Sequence, residues 1–177
     1  YRLMEAAKGE LYVNSGTSMQ YGTADTYGGG AIYATDALVT INGSCDTEKE
    51  EGTVKFLKCT TTGDETGGGA IRAQNLTIAN TPPSEEEQSD EGHYGTSFMD
   101  CSAPTGGAIY VTGANTSIED AMFQNCYSTN EGGAVHHDTQ TTESSLTTIN
   151  NSSFANCHTN QSSGGAVSSK AAILTIA

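Results

Sequence analysis

One tetrapeptide, Gly-Gly-Ala followed by Ile or Val, recurs five times along this chain. It stands at Gly29-Gly30-Ala31-Ile32, Gly68-Gly69-Ala70-Ile71, Gly106-Gly107-Ala108-Ile109, Gly132-Gly133-Ala134-Val135 and Gly164-Gly165-Ala166-Val167. A degenerate copy, Gly9-Glu10-Leu11-Tyr12-Val13, precedes them. From Gly9 through Gly30, Gly69, Gly107, Gly133 and Gly165 the steps are 21, 39, 38, 26 and 32 residues. Two further signals follow each copy in a constant order. The first is an apolar strand: Leu38-Val39-Thr40-Ile41, Leu76-Thr77-Ile78, Ile118, Leu146-Thr147-Thr148-Ile149 and Leu174-Thr175-Ile176. The second is Phe-x-x-Cys, from Phe56 to Cys59, Phe98 to Cys101, Phe123 to Cys126 and Phe154 to Cys157. A fixed order of short segments with irregular spacing describes coils of constant core and variable turns.

The period inside each segment is two, which places apolar side chains on one face of a strand. Gly pairs let the backbone turn where a Cβ would clash. The Gly, Thr and β-branched content excludes a helix–turn–helix repeat. These features predict an all-β chain, a right-handed parallel β-helix (solenoid) of about six coils with three short strands each. Residues 1–177 read as a single β-helix domain, a whole subunit or a piece of a longer solenoid, with inserts at 42–55, 79–97 and 136–145. Only 35% of the residues are hydrophobic. A solenoid tolerates that, because each coil needs just a narrow apolar strip, and the periodicity of that strip argues against disorder.

Gly-Gly-Ala-Ile alternating with Phe-x-x-Asn is the signature of the polymorphic outer-membrane-protein repeat, known from chlamydial surface autotransporters and from some protist surface proteins. This chain resembles it over nearly its full length. The departure is at the closing Asn, which is Cys59, Cys101, Cys126 and Cys157 here; Asp100, Asn125 and Asn156 sit one residue earlier. The resemblance implies a right-handed β-helix displayed on a surface and acting in adhesion.

Seven basic against 21 acidic residues give a net charge of −14, a poor surface for nucleic acid. No apolar run is long enough for a transmembrane segment. Asn-X-Ser/Thr sequons stand at Asn42, Asn75, Asn115, Asn150, Asn151 and Asn160. Most are expected at turns, where N-linked glycans would reach solvent, which points to an extracellular or cell-surface location. Five cysteines are present. Four of them share one place per coil, and stacked strands hold Cα atoms at a separation that a disulfide accepts. Bridges such as Cys59–Cys101 and Cys126–Cys157 fit this pattern, Cys45 offers Cys59 another partner, and a ladder of reduced buried thiols is the alternative. The sequons favour an oxidising compartment, and with it at least one bridge.

The distance from the Leu/Ile strand to Phe identifies two inserts. Ile118 to Phe123 and Ile149 to Phe154 are each five residues, whereas Ile41 to Phe56 takes 15 and Ile78 to Phe98 takes 20. Both long inserts are acidic, with Asp46, Glu48, Glu50 and Glu51 in one and Glu85, Glu86, Glu87, Asp90 and Glu91 in the other. They should emerge side by side and offer hard oxygen ligands for a weak calcium site. A solvated acidic loop is the plainer reading. No other cofactor is expected. His136, His137 and Asp138 read as a polar turn. Tyr12, Tyr33 and Tyr110 read as an outward tyrosine strip, either ordinary sheet surface or a platform for a glycan ligand.

Parallel β-helices also include polysaccharide lyases and hydrolases. The scattered aspartates and the presence of only Arg2 and Arg72 as arginines speak against an enzyme. The leading expectation is a structural extracellular glycoprotein that stacks end to end with copies of itself into a filament or stalk. Leu11, Tyr12 and Val13 at one end and Ile173, Leu174 and Ile176 at the other are its assembly edges. The alternative is an adhesin that binds a cell-surface or glycan ligand.

Overall fold

The computed structural model describes residues 2–45, 53–63, 67–81, 94–139, 144–160 and 164–177. These form a right-handed parallel β-helix with no helical segment. One sheet contains β1 (Met4–Glu5), β2 (Gly9–Asn14), β5 (Ile32–Asn42), β8 (Ile71–Ile78), β11 (Ile109–Val111), β12 (Asn115–Glu119), β15 (Val135–His137), β16 (Leu146–Asn150), β19 (Val167–Ser169) and β20 (Ile173–Ile176). A second contains β3 (Ser18–Gln20), β6 (Val54–Leu57), β9 (Thr96–Met99), β13 (Ala121–Gln124) and β17 (Ser153–Ala155). The third contains β4 (Thr23–Ala24), β7 (Thr60–Thr61), β10 (Ser102–Ala103), β14 (Tyr127–Ser128) and β18 (His158–Thr159).

The three sheets agree with the expected three faces, but their make-up differs. The Gly-Gly-Ala strand and the Leu/Ile strand lie in one sheet and merge into continuous strands in β5 and β8. The third face is built from two-residue strands, one just after Gly22 and the others just after Cys59, Cys101, Cys126 and Cys157, too short to leave a periodic signal. Gly9-Glu10-Leu11-Tyr12-Val13 is not a Gly-Gly-Ala copy. Leu11 pairs with Val39 and Val13 with Ile41, so this segment belongs to the Leu/Ile register, and Met4 opposite Ile32 fills the Gly-Gly-Ala register.

Both glycines of the motif have a physical cause. The first takes a left-handed turn (Gly106 has φ 59°). The second has the next coil directly above it: a Cβ on Gly107 would lie 2.1 Å from the Gly133 carbonyl oxygen. Inside the coils, equivalent residues stack. Ile32, Ile71, Ile109 and Val135 form one buried ladder, and Ile41, Ile78, Ile118 and Ile149 form another. Phe56, Phe98, Phe123 and Phe154 stack face to face with ring centroids 4.7–4.8 Å apart and planes within 4° of parallel. That separation is the strand spacing itself, so an in-register parallel sheet imposes the stack.

The residue before each ladder cysteine (Cys59, Cys101, Cys126 and Cys157) is left-handed: Lys58 (φ 52°), Asp100 (53°), Asn125 (53°) and Asn156 (54°), as is Tyr21 (57°) before Gly22 in the first coil. Asx side chains tolerate this conformation and here also bond along the stack, Asn125 Nδ2 donating to Asp100 Oδ1 at 3.0 Å and Asn156 Nδ2 to Asn125 Oδ1 at 3.3 Å. Lys58 bears the same strain without that bond. Lys58→Asn is therefore expected to stabilise the fold by about 1 kcal/mol. Differential scanning calorimetry should show a melting midpoint higher by about 2–4 °C; an unchanged or lower midpoint would count against the ladder as a stabilising device.

Candidate functional site

Cys59, Cys101 and Cys126 are fully buried and Cys157 is half-buried, one above the other on the inner face. The five cysteines are free in this structure, and none of the expected bridges is seen. In-register side chains leave each strand in the same direction, and each sulfur bonds backbone carbonyls instead: Cys101 Sγ reaches Phe56 O at 3.8 Å and Met99 O at 3.5 Å, Cys126 reaches Phe98 O at 3.6 Å, and Cys157 reaches Phe123 O at 3.5 Å. Hydrogen bonding to the Cys126 sulfur, reinforced by burial, holds Cys101 and Cys157 above the ordinary thiol range. Cys45 lies off the ladder, and burial pushes its thiol up to about 11.

The sequons sit differently from the turn placement read in the sequence. Asn42, Asn75, Asn115 and Asn150 lie within strands; Asn151 and Asn160 lie outside them. Asn115, Asn151 and Asn160 are exposed, while Asn42, Asn75 and Asn150 are half-buried. The acidic residues Asp46, Glu48, Glu50, Glu51, Glu85, Glu86, Glu87, Asp90 and Glu91 lie outside the described residues. The roots of the two inserts are on view and adjoin: Ser44 bridges Thr81, Cys45 N donates to Thr81 O at 3.0 Å, and Val54 N donates to Gly95 O at 2.9 Å. Buried Asn80 pins this corner. Its Oδ1 accepts from Gly43 N and Thr96 Oγ1, both at 2.8 Å, and its Nδ2 donates to Asp120 O at 3.0 Å.

The tyrosine strip is not continuous. Tyr12 belongs to the other register, and Tyr33 pairs with Arg72, which pairs with Tyr110, which pairs with His136. The ring faces are already occupied. The Arg72 guanidinium lies 5.0 Å from the Tyr110 centroid, the Arg2 guanidinium 4.1 Å from that of Tyr33, and His136 stacks on Tyr110 at 5.5 Å and 5°. A sugar stacking on these faces would have to displace a neighbour.

His136 and His137 are not in a polar turn. They form β15 with Val135 and are buried, 1% and 0% exposed, because Val135-His136-His137 repeats the Ile109-Tyr110-Val111 pattern one coil on. That pattern was the available signal; the hydrophilicity of a His pair masked it. The side chains diverge as strand neighbours must. His137 points inward, its Nδ1 at 2.7 Å from Thr147 Oγ1 and its Nε2 at 2.7 Å from Gly113 O.

His136 points outward into a groove of about 390 Å³ lined by Thr105, Tyr110, Asn130, Glu131, Asp138 and Lys170. Lys170 Nζ lies 3.3 Å from Asp138 Oδ1 and 3.7 Å from Glu131 Oε2. The Tyr110 hydroxyl donates to Asp138 Oδ2 at 3.2 Å, and burial, with the Asp138 charge, pushes that phenol up to about 12. Burial lowers His136 to about 4 even though Glu131 opposes the shift. The unfolded imidazole, near 6.5, binds its proton more tightly than the folded one. Stability on this account is fully present above that value and is lost as pH falls toward 4, by about 2–3 kcal/mol. Urea titrations across this window should show the loss, and His136→Phe, which keeps an aromatic ring against Tyr110, should flatten the slope. An equal slope in both proteins would rule out His136 as the source.

No protein-family profile, no curated protein and no solved structure matches this chain. The resemblance to the polymorphic outer-membrane-protein repeat accordingly rests on its residue pattern alone.

Proposed function

We propose that this chain is a structural module of an extracellular or cell-surface β-helix, lengthened by adding coils to its last one. The observation that carries this is the direction of Leu174 and Ile176. They stack in register on Thr147 and Ile149, whose side chains are buried inside the coil, and are themselves 47% and 60% exposed, with no described residue stacked beyond them. At the other end Val13 and Met19 are 2% and 5% exposed. One more coil covers Leu174, Ile176 and the free edges of β19 and β20, whether it comes from further chain or from a second copy. A second copy docking head to tail makes a filament, since a heterologous contact that does not close propagates. The exposed sequons Asn115, Asn151 and Asn160 are where glycans would sit on such a rod.

Electron microscopy of the purified chain at rising concentration, beside the variant Leu174→Lys/Ile176→Lys, tests this. Fibres formed by the parent chain and abolished in the variant are expected. Dispersed short rods at every concentration would overturn self-stacking and favour the second reading, an adhesin. That reading has its own support: the adjoining roots at Ser44–Thr81 and Val54–Gly95 present two acidic inserts from one rigid corner, and binding loops are commonly carried on rigid scaffolds.

A further inference from the structure

The outward face of the first sheet has a feature that a stacking module does not need. Among the described residues, four buried polar side-chain atoms lack a hydrogen-bond partner, and three of them, Arg2 Nε, Arg72 Nε and His136 Nδ1, belong to the outward ladder of Tyr33, Arg72, Tyr110 and His136 or lie against it. A buried polar atom without a partner is costly, and three of them gathered along one ladder beside a groove point to a site completed by something else. His136 is the one of the three that lines the groove of Glu131, Asp138 and Lys170. Its Nδ1 faces Glu131 Oε2 at 3.4 Å without bonding it.

We propose that this groove is a binding site for an uncharged saccharide, held through its hydroxyls. The lining alternates acceptors and donors, as a polyol requires. Glu131 and Asp138 accept, Lys170 donates, Asn130 and Thr105 do both, and the His136 imidazole offers its unfilled ring nitrogen. The lining comes from three successive coils, so a chain lying along the rod meets several of these groups in turn. Other ligand classes fit less well. A sulfated or phosphorylated polymer meets two carboxylates against one ammonium, on a chain of net charge −14. A metal ion lacks ligands, for no three His, Cys, Asp or Glu converge among the described residues. A basic peptide would have to displace Lys170 from both carboxylates. The occupied faces of Tyr110 and His136 mean that recognition runs through ring edges and hydrogen bonds, and this proposal stands apart from end-to-end stacking.

Titration calorimetry with laminarihexaose, cellohexaose, mannohexaose and chitohexaose, with hexalysine as the contrasting ligand, tests it. One hexasaccharide is expected to bind, more than tenfold more weakly to Glu131→Gln and to Asp138→Asn but equally to Glu10→Gln on the distant β2. The ¹⁵N signals of His136 in the parent protein should move as that sugar is added, a readout that needs no variant to fold. Absence of binding by all four sugars, binding indifferent to Glu131→Gln and Asp138→Asn with His136 unmoved, or binding of hexalysine alone would each overturn it.

Discussion

Gly107→Val is expected to abolish the cooperative unfolding transition or to lower stability by upwards of about 4 kcal/mol. A Cβ at this position would stand 2.1 Å from the Gly133 carbonyl oxygen, 2.6 Å from that of Tyr127 and 2.7 Å from the Tyr127 carbonyl carbon. All three atoms are backbone of the next coil, held by the ladder bonds that define the rod, so none can retreat as a side-chain tip would. Separating the coils to admit one methyl breaks hydrogen bonds such as Gly107 N to Gly132 O at 3.1 Å and Ala108 N to Ala134 O at 2.8 Å. Gly165, at the same place in the last described coil, has nothing within 4 Å of its would-be Cβ and no left-handed φ. Gly165→Ala should therefore be tolerated within about 0.5 kcal/mol. Urea melts followed by circular dichroism compare the two. A Gly107→Val protein that melts like its parent would refute the close stacking of coils.

The second large effect is expected at Phe98. Its ring lies between those of Phe56 and Phe123, with centroids 4.7 and 4.8 Å away, and is fully buried. Phe98→Ala removes a ring from the middle of a continuous column, and the strands on either side, paired through Val54–Leu57 and Ala121–Gln124, cannot close the gap. A cost of about 3–5 kcal/mol follows from lost burial plus the cavity. Among the described residues Phe154 has a stacked ring on one side only, and it is half-buried, so Phe154→Ala should cost clearly less. Equal losses at the two sites would show that the column is not what stabilises the inner face.

The ladders were legible in the sequence because an in-register parallel coil demands the same residue at the same place each time. Gly106-Gly107-Ala108-Ile109 recurs since a Cβ at Gly107 would meet the coil above, and Phe123-x-x-Cys126 recurs since in-register stacking favours like on like inside the coil. The left-handed residue before each ladder cysteine was visible only as an unexplained Asx preference at Asp100, Asn125 and Asn156. Lys58 and Tyr21 take the same conformation and carry no such mark.

The candidate groove was not legible. His136 and Asp138 stood in a hydrophilic stretch, and Glu131 and Lys170 lie in different coils with nothing between them to indicate contact. The third sheet went unread for a related reason: Thr60–Thr61 and Ser102–Ala103 are too short to show a period. Thus the repeat by itself determined the solenoid, its direction of stacking and the identity of its buried ladders, because steric exclusion between identical coils acts at every recurrence. Which residues of different coils meet on the outer face was decided by tertiary structure alone. Outward side chains meet no packing constraint from the core, so register, not residue type, brought Tyr110, His136, Asp138, Glu131 and Lys170 together.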